Sequence, residues 1–150
     1  MPHLVLVHPQ IPPNTGNIAR TCAATKTDLH LVKPLGFEIT DRYLKRAGLD
    51  YWPYVNLRIH ESLNELLAIQ AGGRWVGFTV RGQSAHHDFA FQDNDWLLFG
   101  SETNGLPAEA LQACDATLYI PMREPGVRSL NLSVSVAVGL FEAYRQIGFT

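Results

Sequence analysis

Ile120-Pro121-Met122 through Ser129-Leu130-Asn131-Leu132-Ser133, running on into the last apolar segment, is the stretch that decides how this chain is read. A strand-like run from Thr117 to Ile120 stops at Pro121. A turn-prone segment with Arg123, Pro125-Gly126 and Arg128 follows, and then a small, hydroxyl-rich and apolar run continues almost to the C-terminus. Ser129, Asn131, Ser133 and Ser135 set four neutral polar side chains among Leu, Val and Ala. Buried hydroxyls and amides need partners. The segment therefore faces a polar ligand or its own backbone, or else its small residues let elements pack closely. Leu130 to Val136 alternates apolar and polar, which is a strand signal. The apolar run nevertheless reaches Phe141 and leads into Glu142, Tyr144, Arg145 and Gln146, a length ordinary for a helix. Leu132, Val136 and Leu140 stack at helical spacing, with Ser129 as the expected N-cap. The segment is read as a helix buried on most sides.

The chain has 150 residues, enough for one domain with a real core. Hydrophobic residues make up 46% and charged ones 17%, so the chain is globular and fairly apolar. A net charge of -2 argues against broad nonspecific nucleic-acid binding but leaves room for a local basic patch. Cys22 and Cys114 are too few for a disulfide framework and lack metal-ligand spacing to the histidines, so no metal is expected. No signal peptide and no uninterrupted apolar run of ~18 residues is present. The expectation is a cytoplasmic protein with no membrane partner.

Working outward, His3 to Val7 is a short apolar strand. It runs into His8-Pro9-Gln10-Ile11-Pro12-Pro13, where the prolines are expected to forbid regular structure. Asn14 is the expected N-cap of a helix from about Thr15 to Lys26. Leu29 to Val32 reads as a second strand. Thr40 or Asp41 starts a short basic helix that Gly48 ends. Val55, Leu57 and Ile59 alternate as a third strand. Ser62 and Glu65 form a capping box for a helix to Ala71, closed by Gly72-Gly73. Arg74 to Val80 and Trp96 to Phe99 are the fourth and fifth strands. Pro107 opens a helix to Ala113, and Thr117 to Ile120 is the sixth strand. Strands alternating with helices predict an α/β fold, a parallel sheet covered on both faces. Without repeats or linkers, residues 1–150 read as one domain.

Several familiar chemistries are excluded. Gly100 and Gly105 have the glycine spacing of a phosphate-binding loop, but Leu106-Pro107 stands where Lys-Ser/Thr is required. In Gly100-Ser101-Glu102 the serine directly follows the glycine, so this is no nucleophile elbow. No Gly-x-Gly-x-x-Gly follows the first strand. Three polar loops remain, each after a strand: Asn14 to Arg20, Phe99 to Pro107, and the opening stretch. Ligands in parallel sheets gather beyond the C-terminal strand ends. Taken singly, Asn14 and Asn17 read as caps and Glu102 as the acid of a local turn.

Together the three loops resemble the three motifs of the SPOUT-class RNA methyltransferases over nearly the whole chain. Pro12-Pro13-Asn14-Thr15-Gly16-Asn17-Ile18-Ala19-Arg20 and Arg46-Ala47-Gly48-Leu49-Asp50-Tyr51 look like the minimal YibK/TrmL-like branch in particular. Related chains often carry a basic residue where this one has Asn104, and many have asparagine where it has Val134. The resemblance implies an α/β sheet with a C-terminal trefoil knot, a homodimer, and S-adenosylmethionine-dependent 2'-O-methylation of the wobble ribose (cytidine or modified uridine) of leucine tRNAs. It also leaves open another tRNA or rRNA site, or a non-catalytic RNA-binding module on the same scaffold.

By the same resemblance the cofactor lies against Phe78-Thr79, Gly100 and Ile120 to Met122, closing on Ser129 and Leu130. Main-chain groups flanked by aliphatic side chains suit adenine, and glycine at 100 is expected to permit close backbone approach. Arg20 matches the arginine assigned to the ribose hydroxyl, with Asn14 orienting it. Ser129 and Asn131 match positions that hold ribose and cofactor, and Glu102 the acid that fixes the second loop. A guanidinium stays protonated and is a poor base, so Arg20 is expected to stabilise the developing alkoxide and grip phosphate. For RNA, Arg42, Lys45 and Arg46 with Tyr51 and Trp52 offer cations beside aromatics. That basic run reads equally as a solvated helix face. Arg123 and Arg128 flank the cofactor loop.

Overall fold

The computed structural model describes residues 1–39, 49–69 and 72–149. Within them seven strands form one all-parallel sheet: β1 (His3–Val7), β2 (Asp28–Val32), β3 (Leu57–His60), β4 (Trp75–Phe78), β5 (Ser84–Ala85), β6 (Trp96–Phe99) and β7 (Ala116–Tyr119). The order across the sheet is β3-β2-β1-β6-β4-β7-β5. Four α-helices are described: α1 (Pro12–Thr25), α2 (Leu63–Ile69), α3 (Ala108–Ala113) and α4 (Leu132–Ile147).

Strand periodicity explains how both faces come to be covered. Successive side chains leave opposite faces, so Leu4 and Leu6 join the core under α1 and α4, while Val5 and Val7 join the one under α2 and α3. β6 divides likewise, with Leu97 and Phe99 on the first face and Trp96 and Leu98 on the second. Leu4, Leu6, Leu97 and Leu98 are fully buried, each contributing about 1.5–3 kcal/mol. The predicted parallel sheet covered on both faces is the one found.

Several boundaries differ from the sequence expectation. α1 starts at Pro12, with Ile11 as N-cap and no side-chain cap bond. Pro12-Pro13 thus opens the helix instead of breaking it, because a first-turn residue needs no N–H. Asn14 lies inside α1. α4 starts at Leu132, capped by Asn131 and not by Ser129; Asn131 Oδ1 accepts from Ser133 N at 2.9 Å and Val134 N at 3.4 Å. In the predicted capping box, Ser62 Oγ accepts from Glu65 N at 3.1 Å, whereas the Glu65 carboxylate reaches back to Glu61 N. β3 starts at Leu57, β4 ends at Phe78, and β7 runs from Ala116 to Tyr119. The two-residue β5 was not expected. The predicted basic helix up to Gly48, and the predicted α2 end at Ala71, lie outside the described residues.

α4 is docked by its smallest and its largest residues. A Cβ on Gly139 would stand 2.8 Å from the Phe78 ring and 3.1 Å from Phe99, two rings stacked at 4.5 Å. Here the small residue serves close packing. Further along, buried Tyr144 shares a 2.7 Å hydrogen bond with Thr27 Oγ1 at the corner between α1 and β2. From β1 the chain runs outward through β2 to β3, then crosses to β4 on the other side of β1, and β6 inserts between β1 and β4. That reversal opens a crevice at the C-terminal strand ends.

Candidate active site

A cavity of about 630 Å³ occupies the crevice beyond β4, β6 and β7. Phe78, Phe99, Leu106 and Leu118 give it apolar walls. Its polar side is a hydrogen-bonded chain joining the three loops. Glu102 Oε1 accepts from Gln10 N at 2.8 Å, and Oε2 from Ile11 N at 2.9 Å and Asn14 Nδ2 at 3.2 Å. Asn14 Oδ1 accepts in turn from Asn131 Nδ2 at 3.1 Å. The Glu102 carboxylate thus satisfies N–H groups at the entry to α1, where a negative charge also suits the helix dipole. Glu102 stands at the start of one helix and Asn131 at the start of another, with Asn14 locking them together.

The structure therefore gathers Asn14, Glu102, Asn131 and Ser129 at one cavity, with Phe78, Thr79, Gly100, Ile120, Met122, Leu130 and Arg128 also on its wall. Pro121 to Ser129 is exposed throughout, and among the described residues no hydrogen bond engages the main chain of Met122, Ser129 or Leu130. All three residues line the cavity.

Three expectations need correcting. Asn14 does not orient Arg20 within the chain, since its amide is held by Glu102 and Asn131. Arg20 follows six residues later, about 9 Å along the helix axis, exposed and with its guanidinium 4.7 Å over the Tyr51 ring. Arg20, Tyr51 and exposed Arg123 do not line the cavity. Second, Gly100 is required by its own loop: a Cβ there would stand 1.9 Å from the Gly105 carbonyl carbon and 2.1 Å from Leu106 N. Ser101 and Gly105 pair across the same loop, with Gly105 N donating to Ser101 O at 3.0 Å. Third, Ser129 does not cap the last helix, because Asn131 takes that position. Arg42, Lys45 and Arg46 lie outside the described residues.

Arg81 was missed. It lines the cavity from the turn after β4, where Gly82 N donates to Thr79 O at 3.0 Å. The strand expected to reach Val80 ends at Phe78, and the turn takes its place. Gly82 was the available signal, because a Cβ on it would stand 2.3 Å from the Leu118 carbonyl carbon.

The chain as a whole is similar to known proteins. The model of the SpoU rRNA methylase family matches residues 1–141. A tRNA (cytidine(34)-2'-O)-methyltransferase of Burkholderia ambifaria is 50% identical over 151 residues, covering 98% of this chain and 96% of its own. A solved structure giving insight into the 2-OH methylation of C/U34 on tRNA superposes with a TM-score of 0.93 at 52% identity, covering 98% of this chain and 96% of that one. The SpoU methyltransferase AviRb of Streptomyces viridochromogenes, in complex with AdoMet, superposes with a TM-score of 0.88 at 26% identity, covering 98% of this chain and 60% of its own.

Proposed function

Because this chain belongs to the SpoU rRNA methylase family, we propose that it is an S-adenosylmethionine-dependent tRNA methyltransferase acting on the ribose 2'-hydroxyl of nucleotide 34, with leucine tRNAs as the finer expectation. The observation that carries this reading is the cavity itself. At about 630 Å³ it is within the usual range for a small-molecule site. It also offers apolar walls for an adenine and unpartnered main chain at Met122, Ser129 and Leu130 for its polar edges.

When bound, S-adenosylmethionine supplies a methyl group already activated on a sulfonium. The protein's task is then to place the ribose hydroxyl and manage its proton. Placement is worth up to ~7–11 kcal/mol, which makes rigidity of the loops the first requirement. Both Glu102 oxygens and both ends of the Asn131 amide are committed to internal bonds. Glu102, Asn14 and Asn131 are accordingly positioning residues, and Ser129 and Leu130 contact the ligands. Arg128 and Arg81 on the cavity wall meet RNA phosphate, with Arg123 and the 42–46 basic run extending that surface.

Arg20 reaches a ribose from the neighbouring subunit of a homodimer. Val134, Val138 and Phe141 leave an exposed stripe on α4 at 48%, 37% and 46% exposure. Exposed Phe149 adds its ring 6.0 Å from that of Phe141. Such a stripe suits a second copy of the chain. The C-terminal trefoil knot and the single domain over residues 1–150 belong to the same proposal. Nucleoside mass spectrometry of bulk tRNA from a strain lacking this chain tests the reading. Loss of one 2'-O-methyl nucleoside, restored by the purified protein with labelled S-adenosylmethionine, is expected. An unchanged nucleoside profile would sink it.

A further inference from the structure

At the opposite end of the sheet, where β1 and β2 begin, His3, Asp28 and His30 each present a ligating atom within 4.8 Å of the other two. Strand register brings them together. His3 stands opposite Asp28, and His30 shares its face of β2 with Asp28, two residues away.

Each side chain is held from its far side. His3 Nε2 meets Asn94 Oδ1 at 3.1 Å, His30 Nδ1 meets His60 Nε2 at 2.9 Å, and Asp28 Oδ1 accepts from Asn56 Nδ2 at 2.7 Å. With the imidazole protons on those bonded nitrogens, His3 Nδ1, His30 Nε2 and Asp28 Oδ2 remain. Both nitrogens are buried without a hydrogen-bond partner, and His30 is only 3% exposed. His3 Nδ1 lies 3.7 Å from Asp28 Oδ2. A buried polar atom left unpaired costs about 1–3 kcal/mol, so two beside one carboxylate call for a ligand.

We propose that His3, His30 and Asp28 form a binding site for a divalent transition metal of the zinc type, completed by solvent. Two imidazoles and a carboxylate suit such ions better than calcium or magnesium. Three protein ligands leave a fourth position open. Asn94, His60 and Asn56 are the outer partners that fix tautomer and ring orientation in metal sites. A recess of about 210 Å³ lined by Met1, Pro2, His3, Lys26, Asp28 and Asn94 opens two of the three ligands, His3 and Asp28, to solvent. Metal–ligand bonds of ~2.0–2.2 Å require the three atoms to draw together by about an ångström. Asp28 is one-third exposed, which gives it room to move. Sequence spacing hides the site because the ligands come from two strands that lie apart in the chain and meet only through sheet register. The bound ion staples β1 to β2, far from the methyl-transfer cavity.

The test uses the full chain, stripped with chelator and titrated with Zn²⁺ or Co²⁺. One equivalent is expected to bind, with ligand-field bands for Co²⁺ and a Tm rise of about 5–10 °C when Zn²⁺ is a hundredfold above Kd. Asp28→Asn keeps the Asn56 bond through Oδ1 and is expected to weaken Zn²⁺ about tenfold or more. His3→Gln does the same from the other strand, and neither changes methyl transfer. Absence of both the bands and the Tm rise would overturn the site. So would unchanged Zn²⁺ affinity in the two variants, which would place the ion elsewhere.

Discussion

The Glu102 carboxylate and the Asn14 amide meet at 3.2 Å across 88 positions of sequence, and the same carboxylate closes the entry to α1. Removing it leaves Gln10 N and Ile11 N without their acceptor and leaves the Asn14 side chain held by Asn131 alone. Because these bonds are partly exposed, Glu102→Ala is expected to cost about 1–2 kcal/mol of stability. Glu102→Gln keeps one acceptor and recovers part of that. Urea unfolding measures both. An Ala variant as stable as the parent, with unchanged methyl transfer, would show that the bonds hold nothing in place.

What the sequence discloses of this fold follows the strength of its local signals. β1 and β6 are continuous apolar runs, as doubly covered parallel strands must be, and both ends of each were legible. β5 is two residues long, with a pattern too short to carry a period. At α1 the prolines carried two meanings, break or first turn, and only packing chose between them. Ser129 and Asn131 are both good caps; the one bonded to Asn14 took the role. In the site, the strand-end loops and their asparagines were legible. The Glu102 bonds to α1 were not, since they link positions 91 and 92 apart. Nor could any local pattern show that Arg20 does not line the cavity of its own chain.

Gly100 supplies a sharper test of the second loop. A Cβ at this position would meet backbone at 1.9 Å, and backbone cannot swing aside. Gly100→Ala is therefore expected to destabilise the fold by about 1–3 kcal/mol or more and to weaken S-adenosylmethionine binding together with it. At Gly126 the nearest neighbour of a Cβ is the end of the Glu124 side chain at 3.2 Å. Gly126→Ala is the matched control and should change Tm little. Equal Tm values for the two variants would contradict this role for Gly100.

His86 predicts a pH dependence. Burial, then the nearby His87, holds its pKa below the ordinary 6.5, against the opposing pull of Glu142 and the Tyr119 backbone. The unfolded chain therefore takes up this proton at a higher pH than the folded one. Its contribution to stability is complete above pH 6.5 and is lost as pH falls from there through the lowered folded pKa. His86→Gln should flatten that part of the stability curve, measured by urea unfolding in chelator. An identical slope in the variant would exclude His86 as the group responsible.

Arg20 decides how the chemistry is shared. It is exposed, sits over Tyr51 and does not line the cavity of its own chain. Arg20→Ala is therefore expected to leave S-adenosylmethionine affinity nearly unchanged while methyl transfer falls at least ~10²-fold, the lower end for losing a charge stabiliser. Arg20→Lys keeps the charge but loses the planar two-pronged grip, and should rescue little. Mixed dimers test the cross-subunit role. Thr79→Trp fills the cavity of one subunit while keeping its Arg20. Paired with an Arg20→Ala subunit, whose cavity is intact, it should restore single-turnover transfer to tRNA that neither homodimer shows. Failure of the mixed dimer would confine Arg20 to its own chain. Near-normal transfer by the Arg20→Ala homodimer at saturating tRNA would reduce Arg20 to a docking cation.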